Sequence, residues 1–474
     1  MRYNEMKYLM MFLFLGLLLN KTNAQFGSLG SIDARSLGLA GTSNSISNGV
    51  YSIGINPANL AINKNNFIDF ATALPFPSVS INTGTNFLSL DDVNYFFGGV
   101  DGEARVLTED DKQRFNTLIQ DGGLVFINAS ASVFSFGINV SEDVGAIAFS
   151  VQDIAGAKLY FPQAFADFAL NGNTVGKTFN LDDTNVKAWW IRNYSLSYAR
   201  NLIVSNSSSS ERLTIGVTGK IIHGFSYIGT DRVNYNVTTG SSHEITGNTD
   251  LRGYSAFSDA FGVQYDFDTV KQQSSWGAFP SPAGNGFGVD FGISATTGNW
   301  GFSAAITDLG KINWNKNAAE FSSFGEIYFD DLSNQEQMDS LEKRITGESR
   351  KINNFSTGLP TTLRIGASYQ FSEGVLPGSL LLAFDYDQGF NDLPGNTKFP
   401  TVSFGAEWKP MNWIPYVRTG ISYNTEFGAN WGVGLGIDIG FVELHFASSD
   451  MQSFVLLNRS KRISFSFGSR WKIN

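Results

Sequence analysis

Three histidines, His223, His243 and His445, carry all the imidazole chemistry of this 474-residue chain, and there is no cysteine. A nucleophilic site would need one of them near a serine, with a further polar group to orient the base. His445 is the best proton-transfer candidate. Glu443 lies two residues before it on an alternating run and so shares its face. No serine elbow accompanies the pair, so an internal hydrogen bond is the simpler reading. His243 falls in a long polar stretch, and His223 shares its parity with apolar neighbours. Scattered histidines without cysteine make no transition-metal cluster. Asp91-Asp92 and Asp330-Asp331 could touch Ca²⁺ but lack EF-hand spacing. "GFGVDFG" (286–292) contains a Gly-x-Gly, yet a dinucleotide loop must lead from a strand into a helix. Here Phe287, Val289, Phe291 and Ile293 keep one parity, and alternation resumes after Gly298 at Trp300, Phe302, Ala304 and Ile306. That is a β-hairpin. The chain is read as non-enzymatic, with no cofactor and no metal.

The elements that hold these residues are strands. Alternation recurs at 147–151, 213–221, 363–371, 402–408, 431–437 and 463–471. A soluble sandwich also alternates. Here, however, the non-apolar face is rich in Gly, Ser and Thr and comparatively poor in charge, and many runs reach the roughly ten residues a tilted strand needs to cross a bilayer. Trp189, Trp190, Trp300, Trp408, Trp431 and Trp471 lie near run ends, where interfacial girdles form. Fourteen strands are expected, near 67–83, 124–140, 144–156, 188–200, 212–228, 286–297, 299–308, 359–372, 379–388, 400–409, 415–424, 430–439, 441–448 and 462–473. Short links ("SED", Gly298, "SEGVLPG", Gly440) alternate with long ones at 84–123, 157–187, 229–285 and 309–358. That is the asymmetry of periplasmic turns and extracellular loops. Within the long links, "LTEDDKQRFNTLIQ" (107–120) opens with a capping-box spacing, Thr108 to Asp111, and "SNQEQMDSLEKRI" (333–345) has helical composition. The stretch between Tyr254 and Pro282 carries no assignable pattern.

Arg2 and Lys7 precede the apolar run "YLMMFLFLGLLL" and then "NKTNA", the layout of a signal peptide over residues 1–24. The run is short for a membrane anchor helix, the alternative reading. Without cysteine there is no disulfide framework and no lipoprotein anchor. Loss of the leader removes Arg2, Lys7, Lys21 and Glu5, taking the net charge from −10 to −12. With no basic run, nucleic acid is excluded as a partner.

Parity sends a mixed set of ionisable residues inward: Lys220, Asp290, Arg364, Glu407, Arg418, Asp438, Glu443, Arg470 and Lys472, with His445 among them. A ring of one sign would suggest ion selectivity. Both signs together suggest a network tying wall to filling, and a polar transport path lined by them stays open as a reading. The filling is expected from residues 25–66, which are small, Gly- and Ser-rich and nearly uncharged.

Within that segment, "ARSLGLAGTSNSISNGVYSIGINPANLA" resembles the N-terminal hatch of the FadL family of outer-membrane long-chain fatty-acid and hydrocarbon transporters, and of PorV-type barrels of type IX secretion. Ala34, Arg35, Gly38 and Gly41 match the Ala-Arg-x-x-Gly-x-x-Gly opening. Asn56, Pro57 and Ala58 match the Asn-Pro-Ala motif, although Asn59 replaces the usual glycine. "GFGVDFG", "ITDLGKINW" and "LPTTLRIGASYQF" resemble an uncharacterised Bacteroidota barrel family of the same superfamily. The resemblance implies an all-β transmembrane antiparallel barrel of about 14 strands over 67–474, with a hatch at 25–66. It implies passive uptake of hydrophobic or amphipathic small molecules. The PorV likeness implies the alternative, a barrel docking an envelope protein partner in a secretion or assembly complex. Outer-membrane lipid is the common partner of both. Arg35, the segment's only arginine, is expected to meet Asp290, Glu407, Asp438 or Glu443, since a buried unpaired charge is costly. Pro57 is expected to hold Asn56 extended, so that its side chain bonds nearby backbone.

Overall fold

The computed structural model describes residues 33–473 apart from 63–66, 73–74, 76, 100–102, 104, 205–210, 263–276, 278, 331–333, 373–375 and 412. The leader, residues 25–32 and most of the unassigned stretch before Pro282 lie outside the described residues. The chain runs through β1 (Ile68–Thr72), β2 (Val79–Thr85), β3 (Gly123–Ser141), β4 (Gly145–Phe161), β5 (Thr178–Asn180), β6 (Asn185–Val204) and β7 (Arg212–Thr239). It continues through β8 (Ile245–Phe257), β9 (Gly284–Thr297), β10 (Trp300–Trp314), β11 (Ala319–Phe329), β12 (Glu348–Lys351), β13 (Phe355–Gly358) and β14 (Thr362–Ser372). The last strands are β15 (Ser379–Gly389), β16 (Thr401–Lys409), β17 (Tyr416–Asn424), β18 (Gly428–Asp438), β19 (Val442–Ser448) and β20 (Arg462–Ile473).

Antiparallel pairing closes them into a barrel. β1 and β2 share one stave, because both pair with β3 on one side and β20 on the other. The first strand, expected to be continuous, is split between Thr72 and Val79, where Pro75 and Pro77 cannot donate ladder hydrogen bonds. The circuit then runs β3–β4–β6–β7–β9–β10–β14–β15–β16–β17–β18–β19–β20. Fourteen staves result, as parity and turn spacing imply.

The burial pattern is inverted relative to a water-soluble sheet. On β9, Phe287 is 60% and Phe291 51% exposed, while Asp290 between them is fully buried. Apolar side chains point out to lipid and polar ones point in, as a transmembrane barrel requires. The staves β14 to β20 have 7–12 residues, close to a bilayer crossing. The opposite wall is far taller, with 28 residues in β7 alone.

That height corrects the expectation of long loops at 229–285 and 309–358. The upper half of β7 pairs with β8, β8 with β11, and β11 with β12, forming a sheet above the membrane. Over 229–239 and 245–252 its sequence alternates weakly and is mostly polar on both faces, so it does not stand out as strand. The helical readings are realised at Glu109–Leu118, with the Thr108–Asp111 capping box formed, and at Gln335–Thr346. Two further helices, Leu90–Phe97 and Gln163–Asn171, join the first around Phe87, Phe96, Phe115 and Ala166. Trp189 is a second correction. It is buried in an internal apolar cluster rather than at the lipid interface, because adjacent Trp189 and Trp190 must point to opposite faces of one strand.

Candidate functional site in the barrel lumen

Residues 33–62 pack against inward-facing positions of the wall. Asp33 caps a short helix (Ala34–Gly38) by accepting from the Arg35 amide at 2.8 Å, and Ala34 packs with Leu37 and Ala447. The chain then reverses at Ala40 and Gly41, where φ is 55° and 97°. Asn56 is extended, and its Oδ1 accepts from the Ala58 amide at 3.1 Å, with Pro57 opening a 3-10 turn to Ala61. This is the N-cap and N1-proline arrangement.

The strand glycines explain how the segment fits. A Cβ on Gly216 would lie 2.3 Å from the Pro57 carbonyl carbon, and one on Gly432 would lie 2.5 Å from the Leu37 oxygen. Only glycine lets the two backbones approach this closely. The small inward face that separates this chain from a soluble sheet is the mould of the N-terminal segment.

Charge fixes the segment in place. Arg35 donates from Nε and Nη2 to the two oxygens of Glu407, both at 2.8 Å, and from Nη1 to the Ile46 carbonyl at 2.9 Å. Of the four carboxylates expected, Glu407 is the partner. Arg418 binds the same carboxylate through Nε at 2.5 Å and reaches His445 Nδ1 at 3.0 Å. His445 Nε2 lies 3.6 Å from Glu443, which also receives Arg470 at 2.5 Å and Lys472 at 2.9 Å. Lys472 bridges on to Asp438 at 2.9 Å, and Arg470 binds the Asn48 carbonyl at 3.0 Å. Seven of the inward residues singled out by parity, together with Arg35, thus form one network across β16 to β20. The His445–Glu443 pair is held by cations on both sides. No serine oxygen touches the His445 ring in the bonds described, so the arrangement orients and neutralises charge.

Lys220, Asp290 and Arg364 belong elsewhere. Lys220 lies 2.8 Å from Asp290 and 2.6 Å from Asp308, all three fully buried. Arg364 pairs with Asp387 at 3.4 Å. Neighbouring Asp385 accepts the Ser43 and Asn44 amides at 2.6 and 2.8 Å, while Asp69 accepts the Val50 amide at 2.9 Å. Sequence reasoning missed Asp69, Asp308, Asp385 and Asp387. Asp385 and Asp387 alternate with Phe384 and Tyr386, so parity could have found them. Asp308 could not be found that way. It sits in a bulge with φ 59°, where β10 slips against β9 between Ile306 and Leu309.

The bulge has a consequence above it. A one-residue slip flips the following side chains to the other face, so Ile312 and Trp314 turn into the lumen. A matching irregularity at Phe225 on β7 does the same for Tyr227. Together with Trp189, Ile222, Phe355 and Leu359 they make a buried apolar layer directly above the Lys220 cluster. The Tyr227 and Trp314 rings are 5.4 Å apart, and the Trp314 indole donates to Thr357 at 2.9 Å. The lumen is therefore stratified. Polar contacts hold a segment below, a fully buried charge cluster follows, and a buried aromatic layer lies above.

The description "Family of unknown function (DUF5723)" matches residues 61–449. No curated protein matches the sequence. Among solved structures, the chain is similar to the TodX deltaS2S3 mutant monoaromatic hydrocarbon channel, with a TM-score of 0.47 and 12% identity over 94% of this chain and 99% of that one. The P. putida toluene transporter TodX gives 0.40 and 11% over 94% and 97%. The CymD monoaromatic hydrocarbon channel gives 0.32 and 10% over 94% and 98%.

Proposed function

Because the chain belongs to the family of unknown function DUF5723, whose description supplies no activity, we propose a function from the geometry: passive, non-catalytic uptake of hydrophobic or amphipathic small molecules, gated by residues 25–66 as a hatch. The signal-peptide layout of residues 1–24 would deliver the barrel to the outer membrane. One observation carries the reading, the stacking of a polar-tethered segment beneath a buried aromatic layer in one lumen. Burial of apolar area is favourable by about 25 cal/mol per Å², so an apolar ligand coming from the surface is accommodated there once the packed side chains part. The tethers below are ion pairs and backbone hydrogen bonds. Such contacts can exchange for water or for each other, while the apolar patches around Val50, Ile53 and Leu60 and around Leu39 and Ile46 must also come apart. A cavity of about 10 Å³ between Val50, Tyr51 and the wall holds roughly one water. In this reading, passage requires the segment to move. Deleting residues 42–58 and measuring uptake of a labelled fatty acid tests the reading. Deletion should alter uptake relative to wild type, and equal uptake in wild-type, deletion and gene-null cells would refute it.

The tall wall favours a second reading, docking of an envelope protein partner. β8, β11 and β12 build a platform that a simple pore does not need. Mild detergent purification with mass spectrometry separates the two. A stoichiometric protein partner supports docking, and a lone barrel carrying lipid supports uptake.

A further inference from the structure

We propose that the surface sheet carries a binding cleft for an anionic sugar, a phosphorylated or carboxylated saccharide, built on Arg232, Arg252 and Arg350. The cleft has a volume of about 410 Å³, and Asp250, Glu320 and Phe324 also line it.

Its construction is unusual for a sheet. Arg232 on β7 lies directly opposite Arg252 on β8 in the pairing register. Like charges directly opposite are destabilising, so a sheet without a use for the pair gains by losing it. The register places them there through a bulge between Thr230 and Arg232, and bulges re-aim side chains beside functional sites. Arg350 joins from β12, on the far side of β11, through the Glu320–Arg350 pair.

Two of the three guanidiniums are held without being used up. Arg232 Nη1 donates to Asp250 at 2.7 Å, and Arg350 donates from Nε and Nη2 to a single oxygen of Glu320 at 3.0 and 2.7 Å. Each guanidinium has five N–H donors, so most remain for a ligand. Arg232 is 45% and Arg350 70% exposed, so both are open to solvent. The helix Gln335–Thr346 does not close the cleft. It packs on the other face of β11, where Ser323 donates to the Arg344 carbonyl.

The chemistry selects the ligand. Guanidinium forks match phosphate and carboxylate oxygens in pairs. The second oxygen of Glu320 and the remaining lone pairs of Asp250 would repel a bare polyanion but accept sugar hydroxyls. Phe324, 73% exposed, offers a flat apolar face at the rim. Three cations, two carboxylates and one aromatic suit a polyhydroxyl molecule bearing one anionic group. This inference does not depend on whether the lumen conducts.

Titration calorimetry on the full-length barrel in detergent tests it, with glucose 1-phosphate and glucuronate as probes and glucose and inorganic phosphate as comparators. At least one anionic sugar should bind, with affinity falling as salt rises. Arg232→Gln/Arg252→Gln should weaken it at least tenfold. That variant removes a repulsive pair, so heat-modifiability on gels should be unchanged. The same assay in nanodiscs with and without lipopolysaccharide identifies the source. Lipopolysaccharide that competes with the probe marks a membrane glycolipid, and the absence of competition marks a diffusible solute. Absence of binding by both anionic sugars and by lipopolysaccharide, or binding unaffected in the folded variant, overturns the proposal. Inorganic phosphate binding as tightly as the sugars overturns the saccharide assignment.

Discussion

Replacing Glu407 by glutamine leaves Arg35 and Arg418 facing each other without the carboxylate that separates them. The Glu407 side chain is 8% and that of Arg418 2% exposed, so solvent screens the resulting repulsion poorly. Removing one partner of a buried ion pair costs about 3–5 kcal/mol. At about 1.4 kcal/mol per tenfold, this shifts the balance between a seated and a displaced N-terminal segment by roughly two to three and a half powers of ten. The barrel should still assemble, because no strand hydrogen bond is touched. Arg35→Met is the informative comparison. It releases the segment's guanidinium but leaves Glu407 paired with Arg418, so no charge is stranded and the displacement should be smaller. The double variant should fall short of the sum of the singles, because one of the two cations opposed in Glu407→Gln is gone; couplings of about 0.5–3 kcal/mol are usual for contacting residues. Conductance in planar bilayers and leakage of small antibiotics into cells read the displacement, with heat-modifiability as the folding control. An assembled Glu407→Gln barrel with wild-type conductance would refute the reasoning, as would an Arg35→Met barrel that leaks more than Glu407→Gln.

Three further expectations follow from other contacts. Gly432→Val would set a side chain against the Leu37 oxygen and the Ala40 nitrogen, so trypsin should cut after Arg35 in the assembled barrel; unchanged protection would argue that the backbones do not meet there. Burial pushes the Asp92 carboxyl up, but Ser89 and Arg114 outweigh it and hold it below its ordinary value. Its support of the Leu90–Phe97 helix is then complete above about pH 3.9 and is lost as pH falls through the lower folded value, so amide protection in 90–97 should drop there in wild type and be low throughout in Asp92→Asn. Trp314→Ala should cost about 3–5 kcal/mol of local stability and make residues 315–361 protease-sensitive at lower temperature, while the barrel stays heat-modifiable; protection equal to wild type would show that the aromatic layer does not anchor the surface strands.

Strand number and the direction of each face were legible because a barrel stave in lipid allows one pattern. Apolar residues must face the bilayer, and with a period of two every other residue must face in. Phe287, Asp290 and Phe291 declare their positions without knowledge of any neighbour. The helix at Glu109–Leu118 was equally local, since Thr108 and Asp111 close a capping box within one turn. Arg35 announced that it needed a carboxylate, for a charge in a closed lumen needs a partner wherever it lies.

Which carboxylate it found was another matter. Glu407 is 372 residues away, and four inward acids satisfied the same rule. The choice depends on where the Ala34–Gly38 helix comes to rest against β17 to β20, and so on glycines whose role shows only when a second backbone lies against them. The slips at Phe225 and at Thr307-Asp308 are likewise silent in sequence, because a bulge is a mismatch between two strands and not a property of either. Each reverses the parity rule above it, which is why Tyr227 and Trp314 turn inward and why Asp308 meets Lys220. Trp189 joins them from the strand next to β7.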